Sequence, residues 1–174
     1  MSWLFSLESI FPEFPWVREA DEWLASTFQK PIEQQLEERE IKKIRAWPNF
    51  NIAAGYISLE KFGILLVIDR DLIDHFLMGY NKVEELIFTF GHEIGHTFHL
   101  DLTQTPPANI GPEKIFYTSF ERLSSEEDML CQSVERFCDE FAARWRQANS
   151  PSKFRQFFSK NKNTDLLSAK HDIS

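Results

Sequence analysis

Two histidines and a glutamate with the spacing of a metal site stand near the middle of the chain, at His92, Glu93 and His96. On a helix, two residues four positions apart differ by about 40° in azimuth and lie roughly 6 Å apart along the axis. Two imidazoles placed in this way can both reach one zinc ion at about 2.0–2.1 Å. Glu93 is turned about 100° from His92, which suits a base that takes a proton from water rather than a ligand. The segment therefore predicts a mononuclear zinc site for hydrolysis.

A catalytic zinc ion of this kind needs a third protein ligand and one open position. Glu135 and Asp139 are one helical turn apart and share a face in the second half of the chain. We predict that Glu135 is the third ligand, and that Asp139 orients a ligand histidine through its free N–H group. Glu126, Glu127 and Glu140 are rival ligands that fit this face less well.

Three further residues near the motif have open roles. His99 follows His96 by one turn, and it is either an outer partner of the metal site or a half-buried histidine. Cys138 is a candidate soft ligand, although its place in an apolar stripe favours a buried core thiol. Gly95 costs a helix about 1 kcal/mol relative to Ala. It is either tolerated there or marks the close approach of another backbone or side chain.

Peptide hydrolysis also requires a group besides zinc that stabilises the oxyanion. Tyr117 is the candidate we carry forward, but Tyr56, His75 and Arg144 have a comparable claim. Tyr117 lies in residues 101–125, a long proline-containing stretch that we interpret as a border or lid of the active site.

The helices that must position these residues are predicted by their apolar periodicity. Residues 82–100 predict a central helix with its histidines on the face opposite to a broad apolar one. The apolar face consists of Val83, Leu86, Ile87, Phe90, Ile94 and Phe98. Residues 127–146 predict a second helix, and Glu135 and Asp139 run along the edge of its apolar stripe.

The N-terminal half predicts two helices and a hairpin. Residues 17–29 and 31–45 have helical periodicity, with Pro31 suited to a first turn. Residues 52–59 and 63–70 predict two strands joined by a short hairpin connection. The second strand is almost continuously aliphatic, so we expect both of its faces to be covered. Residues 71–77 predict a short helix.

Composition limits the classes of partner and the compartment. The net charge of −8 argues against nucleic-acid binding and against binding to anionic membranes. Two cysteines without a disulfide framework favour a reducing compartment. The N-terminus lacks the basic region of a signal peptide, and we find no apolar run of ~18 residues. We therefore expect a cytoplasmic protein.

The run HEIGHTFHLD (92–101), followed by ERFCDEFAA (135–143), resembles the ImmA/IrrE-type zinc metallopeptidases. Members of that family carry a His-Glu-x-x-His helix, and thirty to forty residues later a motif of the form Glu-x-x-Ala-Asn/Asp-x-Phe-Ala. The resemblance covers roughly residues 82–146. This chain departs from the pattern at Cys138, where Ala is usual, and at Phe137, where an acid is frequent.

The resemblance implies that His92, His96 and Glu135 bind zinc and that Glu93 is catalytic. It also implies an α+β fold like that of the minigluzincins, mostly helical, with a small sheet or hairpin before the active-site helix. One such domain would cover residues 1–158, followed by a polar, flexible tail at 159–174.

The expected function is zinc-dependent cleavage of a peptide bond in a protein. The resemblance points to a separate helix-turn-helix repressor as a candidate substrate. A strand of the hairpin, for which we take 63–70, could pair with an extended peptide by strand addition. The alternatives are a catalytically inactive binding or regulatory module with the same fold, and a zinc ion with a purely structural role.

Overall fold

A computed structural model describes the chain at residues 5–47, 55–60, 63–79, 83–99 and 125–161. Helices make up most of this part of the chain, and a small sheet precedes the central helix, so the broad α+β class is confirmed. In chain order the elements are α1 (Leu7–Ile10), α2 (Val17–Thr27), α3 (Ile32–Glu38), β1 (Ile41–Trp47), β2 (Gly55–Glu60), β3 (Gly63–Asp69), α4 (Arg70–Leu77), α5 (Val83–His96), α6 (Ser125–Ala148) and α7 (Pro151–Asn161).

The three strands form one mixed sheet in the order β1-β3-β2. β2 and β3 pair antiparallel with Glu60 opposite Gly63, so the predicted hairpin is confirmed. Gly63 has a φ of 130°, a conformation that glycine adopts without steric cost. Residues 64–68 of β3 are all buried, as expected for a strand covered on both faces.

The place of β3 in the sheet rules out one expectation. β3 pairs with β1 on one side and with β2 on the other, so its backbone groups are already used along both edges. The prediction that residues 63–70 accept an extended substrate is therefore wrong. Among the described strands, β1 and β2 form the edges of the sheet.

The predicted helix at 31–45 is correct only in its first half. α3 ends at Glu38, and Glu40 has a left-handed backbone with a φ of 58°, which turns the chain into β1. Ile41 and Ile44 are both buried, a spacing of three that imitates a helix. In a regular strand they would face opposite sides, but the register of β1 against β3 shifts between Ile41 and Lys43, and this irregularity accounts for the shared burial.

The central helix α5 has its predicted apolar face in the core. Leu86, Ile87, Phe90, Ile94 and Phe98 are buried, and Val83 packs against them from the edge. Helix α6 packs along α5 over much of its length, and α4, α7, β2 and β3 also contact α5.

Other predicted elements agree with the structure within a few residues. The helices expected at 17–29, 71–77 and 127–146 correspond to α2, α4 and α6. Helix α4 begins after Asp69, whose side chain accepts a hydrogen bond from the Asp71 N–H group at 3.0 Å.

Helix α7 was not predicted. Three of its aromatic side chains, Phe154, Phe157 and Phe158, are buried, and the helix continues to Asn161. The first three residues of the expected tail, 159–161, are therefore helical, whereas residues 162–174 lie outside the described part of the chain. The expected lid at 101–125 also lies outside it, apart from Ser125 at the start of α6. None of the described helices has the length and apolarity needed to cross a membrane.

Candidate metal centre

Two glycines bring α5 and α6 into close contact. A Cβ atom added at Gly91 would lie 3.0 Å from the Cα atom of Ala142 and 3.0 Å from the Trp145 ring. At Gly95 the added atom would lie 3.2 Å from Phe141 and 3.3 Å from the Cα atom of Cys138. The helices can therefore approach this closely only because both positions lack a side chain. This observation favours the close-approach role that the sequence left open for Gly95.

The contact between these helices brings the predicted ligands together. The Nε2 atoms of His92 and His96 lie 3.2 Å apart. Glu135 places Oε2 3.0 Å from Nε2 of His92 and Oε1 3.3 Å from Nε2 of His96. His96 is fully buried, whereas the Glu135 side chain is 48% exposed. The three residues form one of the groups whose donor atoms are close enough to hold a metal ion.

The spacing of the donor atoms matches a tetrahedral ion. Atoms held at about 2.0–2.2 Å from a tetrahedral zinc ion lie about 3.3 Å from one another. The three separations here are 3.0, 3.2 and 3.3 Å. Two imidazoles and one carboxylate are also a donor set of catalytic zinc sites. The residues present therefore fit such an ion.

Each ligand histidine has a partner on its second ring nitrogen. Nδ1 of His92 lies 2.9 Å from Oδ1 of Asp139, and Nδ1 of His96 lies 2.7 Å from Nε2 of His99. When each Nδ1 carries the proton, it donates to its partner and leaves Nε2 free to coordinate. The structure thus places Asp139 and His99 where partners that orient the ligands are needed.

Glu93 lies beside the cluster, and one of its carboxylate oxygens accepts no hydrogen bond from the described residues. The residue is 4% exposed, and its buried Oε2 atom has no hydrogen-bond partner among the described residues. Burial, together with the negative charge of Glu135, raises the pKa of Glu93 to about 7 despite the opposing effect of His92. A carboxylate of this kind exchanges a proton readily near neutral pH.

The acids around the cluster also affect the histidines. Burial alone would lower the pKa of His92, but hydrogen bonds to Asp139 and Glu135 raise it to about 10. The pKa of His96 is lowered, chiefly by burial, and burial with the nearby His96 lowers that of His99 to about 3. The pKa of Glu135 is lowered despite its partial burial, because both ligand histidines bond to it. The carboxylates of Glu135 and Asp139 therefore favour positive charge in this cluster, whether it lies on His92 or on a bound cation.

Arg39, in the turn after α3, holds the chain that leaves α5. Its guanidinium donates hydrogen bonds to Oγ1 and to the carbonyl oxygen of Thr97 at 2.9 and 3.2 Å, and it lies 3.7 Å from the centre of the Phe98 ring. These contacts fix the turn between His96 and His99. No sequence pattern marks Arg39, because 58 residues separate it from Thr97.

Trp16 is a second contact that the sequence did not indicate. Its ring centroid lies 5.9 Å from that of His99 and 6.3 Å from that of Phe137. The chain before α2 therefore covers one side of the pair formed by His96 and His99.

Of the candidates for oxyanion stabilisation, only Arg144 and His75 have side chains that the structure describes. Tyr117 lies outside the described part of the chain, as does the side chain of Tyr56. Arg144 pairs with Asp21 at 3.7 Å. It lies about 13 Å along α6 from Glu135 and on the opposite face. His75 lies on α4, which contacts α5.

Glu135 is still the best candidate for the third ligand among the acidic residues of α6. Glu140 is exposed on α6, and it lies five residues beyond Glu135, which turns it away by about 140°. The side chains of Glu126 and Glu127 lie outside those that the structure describes.

Comparison with known proteins finds no match to this chain among family models, curated proteins or solved structures. The family resemblance carried by the two motifs is thus still a prediction.

Proposed function

We propose that this protein is a zinc-dependent metalloendopeptidase of the ImmA/IrrE type with a minigluzincin-like fold. The observation that carries the proposal is the convergence of His92, His96 and Glu135 at the separations of a tetrahedral ion, with the buried carboxylate of Glu93 beside them. Two helices far apart in sequence supply these groups, so their convergence is a tertiary arrangement that the local motif does not impose.

The chain itself supplies most of the machinery for hydrolysis. Zinc, when bound, would supply a Lewis acid that polarises the scissile carbonyl group and lowers the pKa of water. Glu93 accepts the proton of the attacking water at a carboxylate oxygen and passes it to the nitrogen of the leaving amine. Asp139 and His99 hold the rings of His92 and His96 in orientation during this step.

An extended segment of a protein is the substrate that fits this arrangement. The edge strand β2 packs against α5, the helix that carries the motif. A peptide paired with β2 would therefore run close to α5, with main-chain hydrogen bonds providing affinity. A separate helix-turn-helix repressor is the substrate class that the family resemblance suggests.

The variant Glu93→Gln tests the proposal. It keeps the shape of the side chain but cannot accept a proton, so we expect the zinc content of wild type with cleavage reduced by about 10²–10⁴-fold. The measurement is cleavage of a proteome-derived peptide library by zinc-loaded protein, read by mass spectrometry, beside metal analysis of each variant.

Two further variants provide controls for this experiment. Glu140→Gln changes an exposed acid on α6 and should cleave like wild type. Glu135→Ala should lose zinc and cleavage together, because it removes a ligand. A Glu93→Gln variant that cleaves as fast as wild type would exclude the mechanism, and a fully zinc-loaded wild type that cleaves nothing would favour a binding module.

A further inference from the structure

A second set of donor atoms lies directly behind the proposed zinc ligands. His96, His99 and Cys138 each offer a ligand atom within 4.8 Å of those of the other two. Cys138 is fully buried on α6, and its Sγ atom would lie 3.4 Å from a Cβ atom added at Gly95, so the thiol faces the helix that carries His96. Cys138 belongs to the hydrophobic core and takes no part in the proposed zinc site.

We propose that His96, His99 and Cys138 form a second metal site that takes a soft monovalent ion, Cu(I). Two imidazoles and one thiolate in a trigonal arrangement are a donor set that suits copper, and thiolate ligands select soft ions. Binding forms a bond between Sγ and the ion as the S–H bond breaks, and the proton passes to solvent. No electron is transferred in this step.

Burial of the site favours Cu(I) over a second Zn(II). A thiolate and Cu(I) cancel in charge, whereas a thiolate and Zn(II) leave one positive charge in a buried position, which is costly. Zinc in addition prefers four ligands, and this set provides three. Burial, together with the charges of Glu135, Glu93 and Asp139, raises the pKa of the Cys138 thiol. The thiol therefore keeps its proton until a cation displaces it, and the same negative charges favour the entry of that cation.

Trp16 closes the side of this site formed by His99. The two rings lie 5.9 Å apart, and Phe137 packs against Trp16 in turn. An ion held here is therefore shielded from water by aromatic rings, an environment that protects Cu(I)–thiolate bonding from competing ligands.

His96 couples the two sites. Its Nε2 atom faces His92 and Glu135, whereas its Nδ1 atom faces His99. A neutral imidazole has one free nitrogen, so His96 serves one ion at a time unless it loses its last proton. Copper should consequently weaken zinc binding by about 5–150-fold, the usual range for two coupled sites. This competition rests on the proposed zinc site, but the copper site itself does not.

The copper site is tested first in the Glu135→Ala variant, in which the proposed zinc site is disabled. Cu(I) is added without oxygen and in competition with a coloured chelator, and X-ray absorption at the copper edge identifies the ligand atoms. We expect one tightly held Cu(I) per chain, with one sulfur and two nitrogen neighbours. Adding Cys138→Ala or His99→Ala should abolish this binding, whereas adding Cys131→Ala, a change two turns earlier on the same helix, should leave it unchanged.

The second measurement is the zinc affinity of the chain that retains Glu135, with and without Cu(I). Competition predicts that copper lowers zinc affinity in this protein but not in Cys138→Ala, whose circular dichroism should match that of wild type. Two results would overturn the copper site. One is loss of Cu(I) binding in Cys131→Ala, and the other is an X-ray absorption spectrum that shows no sulfur neighbour of copper. Normal copper binding in a protein that never binds zinc would instead overturn the proposed function and leave the copper site standing.

Discussion

At the scale of single residues, Glu93 shows how position controls chemistry. The spacing of His92 and His96 on a helix makes them the proposed ligands, but the role of Glu93 depends on burial that the sequence does not show. In the folded chain the carboxylate is 4% exposed and close to Glu135, and its pKa rises to about 7. A surface glutamate would be fully ionised at neutral pH and a weaker base.

The raised pKa of Glu93 makes the stability of the metal-free protein depend on pH. The folded state holds the proton up to about pH 7, whereas the unfolded chain releases it near 4.5. The contribution of Glu93 to stability is therefore fully present below pH 4.5 and is lost as pH rises to about 7. We expect Glu93→Gln to stabilise the metal-free protein by about 3 kcal/mol more at pH 8 than at pH 4.

Urea unfolding in the presence of a chelator, at several pH values, measures this difference. Glu140→Gln is the matched control, because it removes an exposed carboxylate from the neighbouring helix. A difference between Glu93→Gln and wild type that stays constant with pH would contradict the burial of an ionisable carboxyl group at this position.

The residues that sequence could find at this scale are those joined by a local rule. His92, Glu93 and His96 belong to one helical repeat, and the i, i+4 spacing of Glu135 and Asp139 marks one face of another helix. No such rule marks Arg39 or Trp16. Their contacts with Thr97 and His99, in the turn after α5, depend on how distant segments fold together.

At the scale of elements, the spacing between α5 and α6 determines whether the donor atoms converge. An alanine at Gly91 would place its Cβ atom 3.0 Å from the backbone of Ala142 and from the buried ring of Trp145. The overlap costs about 1–3 kcal/mol, and alanine recovers about 1 kcal/mol through its higher helix propensity. We expect Gly91→Ala to lower stability by about 1 kcal/mol and to weaken zinc binding, because α6 must move outward.

Urea unfolding and a zinc titration measure the two effects of Gly91→Ala. Gly95→Ala is the comparison, because its contacts of 3.2–3.4 Å require a smaller displacement. We expect it to change stability less than Gly91→Ala does. A Gly91→Ala protein that matches wild type in both measurements would show that the glycines do not determine the spacing.

The strand β1 shows why apolar periodicity predicts a helix where the folded chain has a strand. Ile41 and Ile44 imitate the spacing of a helix, and residues 32–38 before them are helical. Only the pairing of β1 with β3, with its shifted register, reveals the strand. The hairpin of β2 and β3 was predictable because its two strands are adjacent in sequence, whereas the parallel partner of β3 is not.

At the scale of the whole molecule, a buried polar network joins an N-terminal helix, α3, to the C-terminal end of α6. Nε2 of Gln35 on α3 donates to Oδ1 of Asn149 at 2.8 Å, and Nε1 of Trp145 on α6 donates to Oε1 of Gln35 at 2.8 Å. All three residues are completely buried. Separations of 110 and 114 residues explain why no sequence pattern indicated this network.

Gln35→Leu tests how strongly this network holds the fold together. Leucine has a similar size, so the change creates little cavity, but it leaves the Trp145 N–H group and the Asn149 amide oxygen buried without Gln35. Each unsatisfied buried group costs about 1–3 kcal/mol, so we expect a loss of about 2–5 kcal/mol. Because α6 also carries Glu135, zinc affinity should fall with stability.

The matched control is Gln34→Leu, which changes an exposed glutamine on the same helix and should alter stability by less than about 0.5 kcal/mol. Urea unfolding of both variants, with and without zinc, separates the network from a general effect of leucine on α3. If Gln35→Leu unfolded at the same urea concentration as Gln34→Leu, the two halves of the domain would be joined by apolar packing alone. A larger effect for Gln35→Leu would show that buried polar groups from the N-terminal and C-terminal parts of the chain hold α6, and with it the proposed third zinc ligand, against α5.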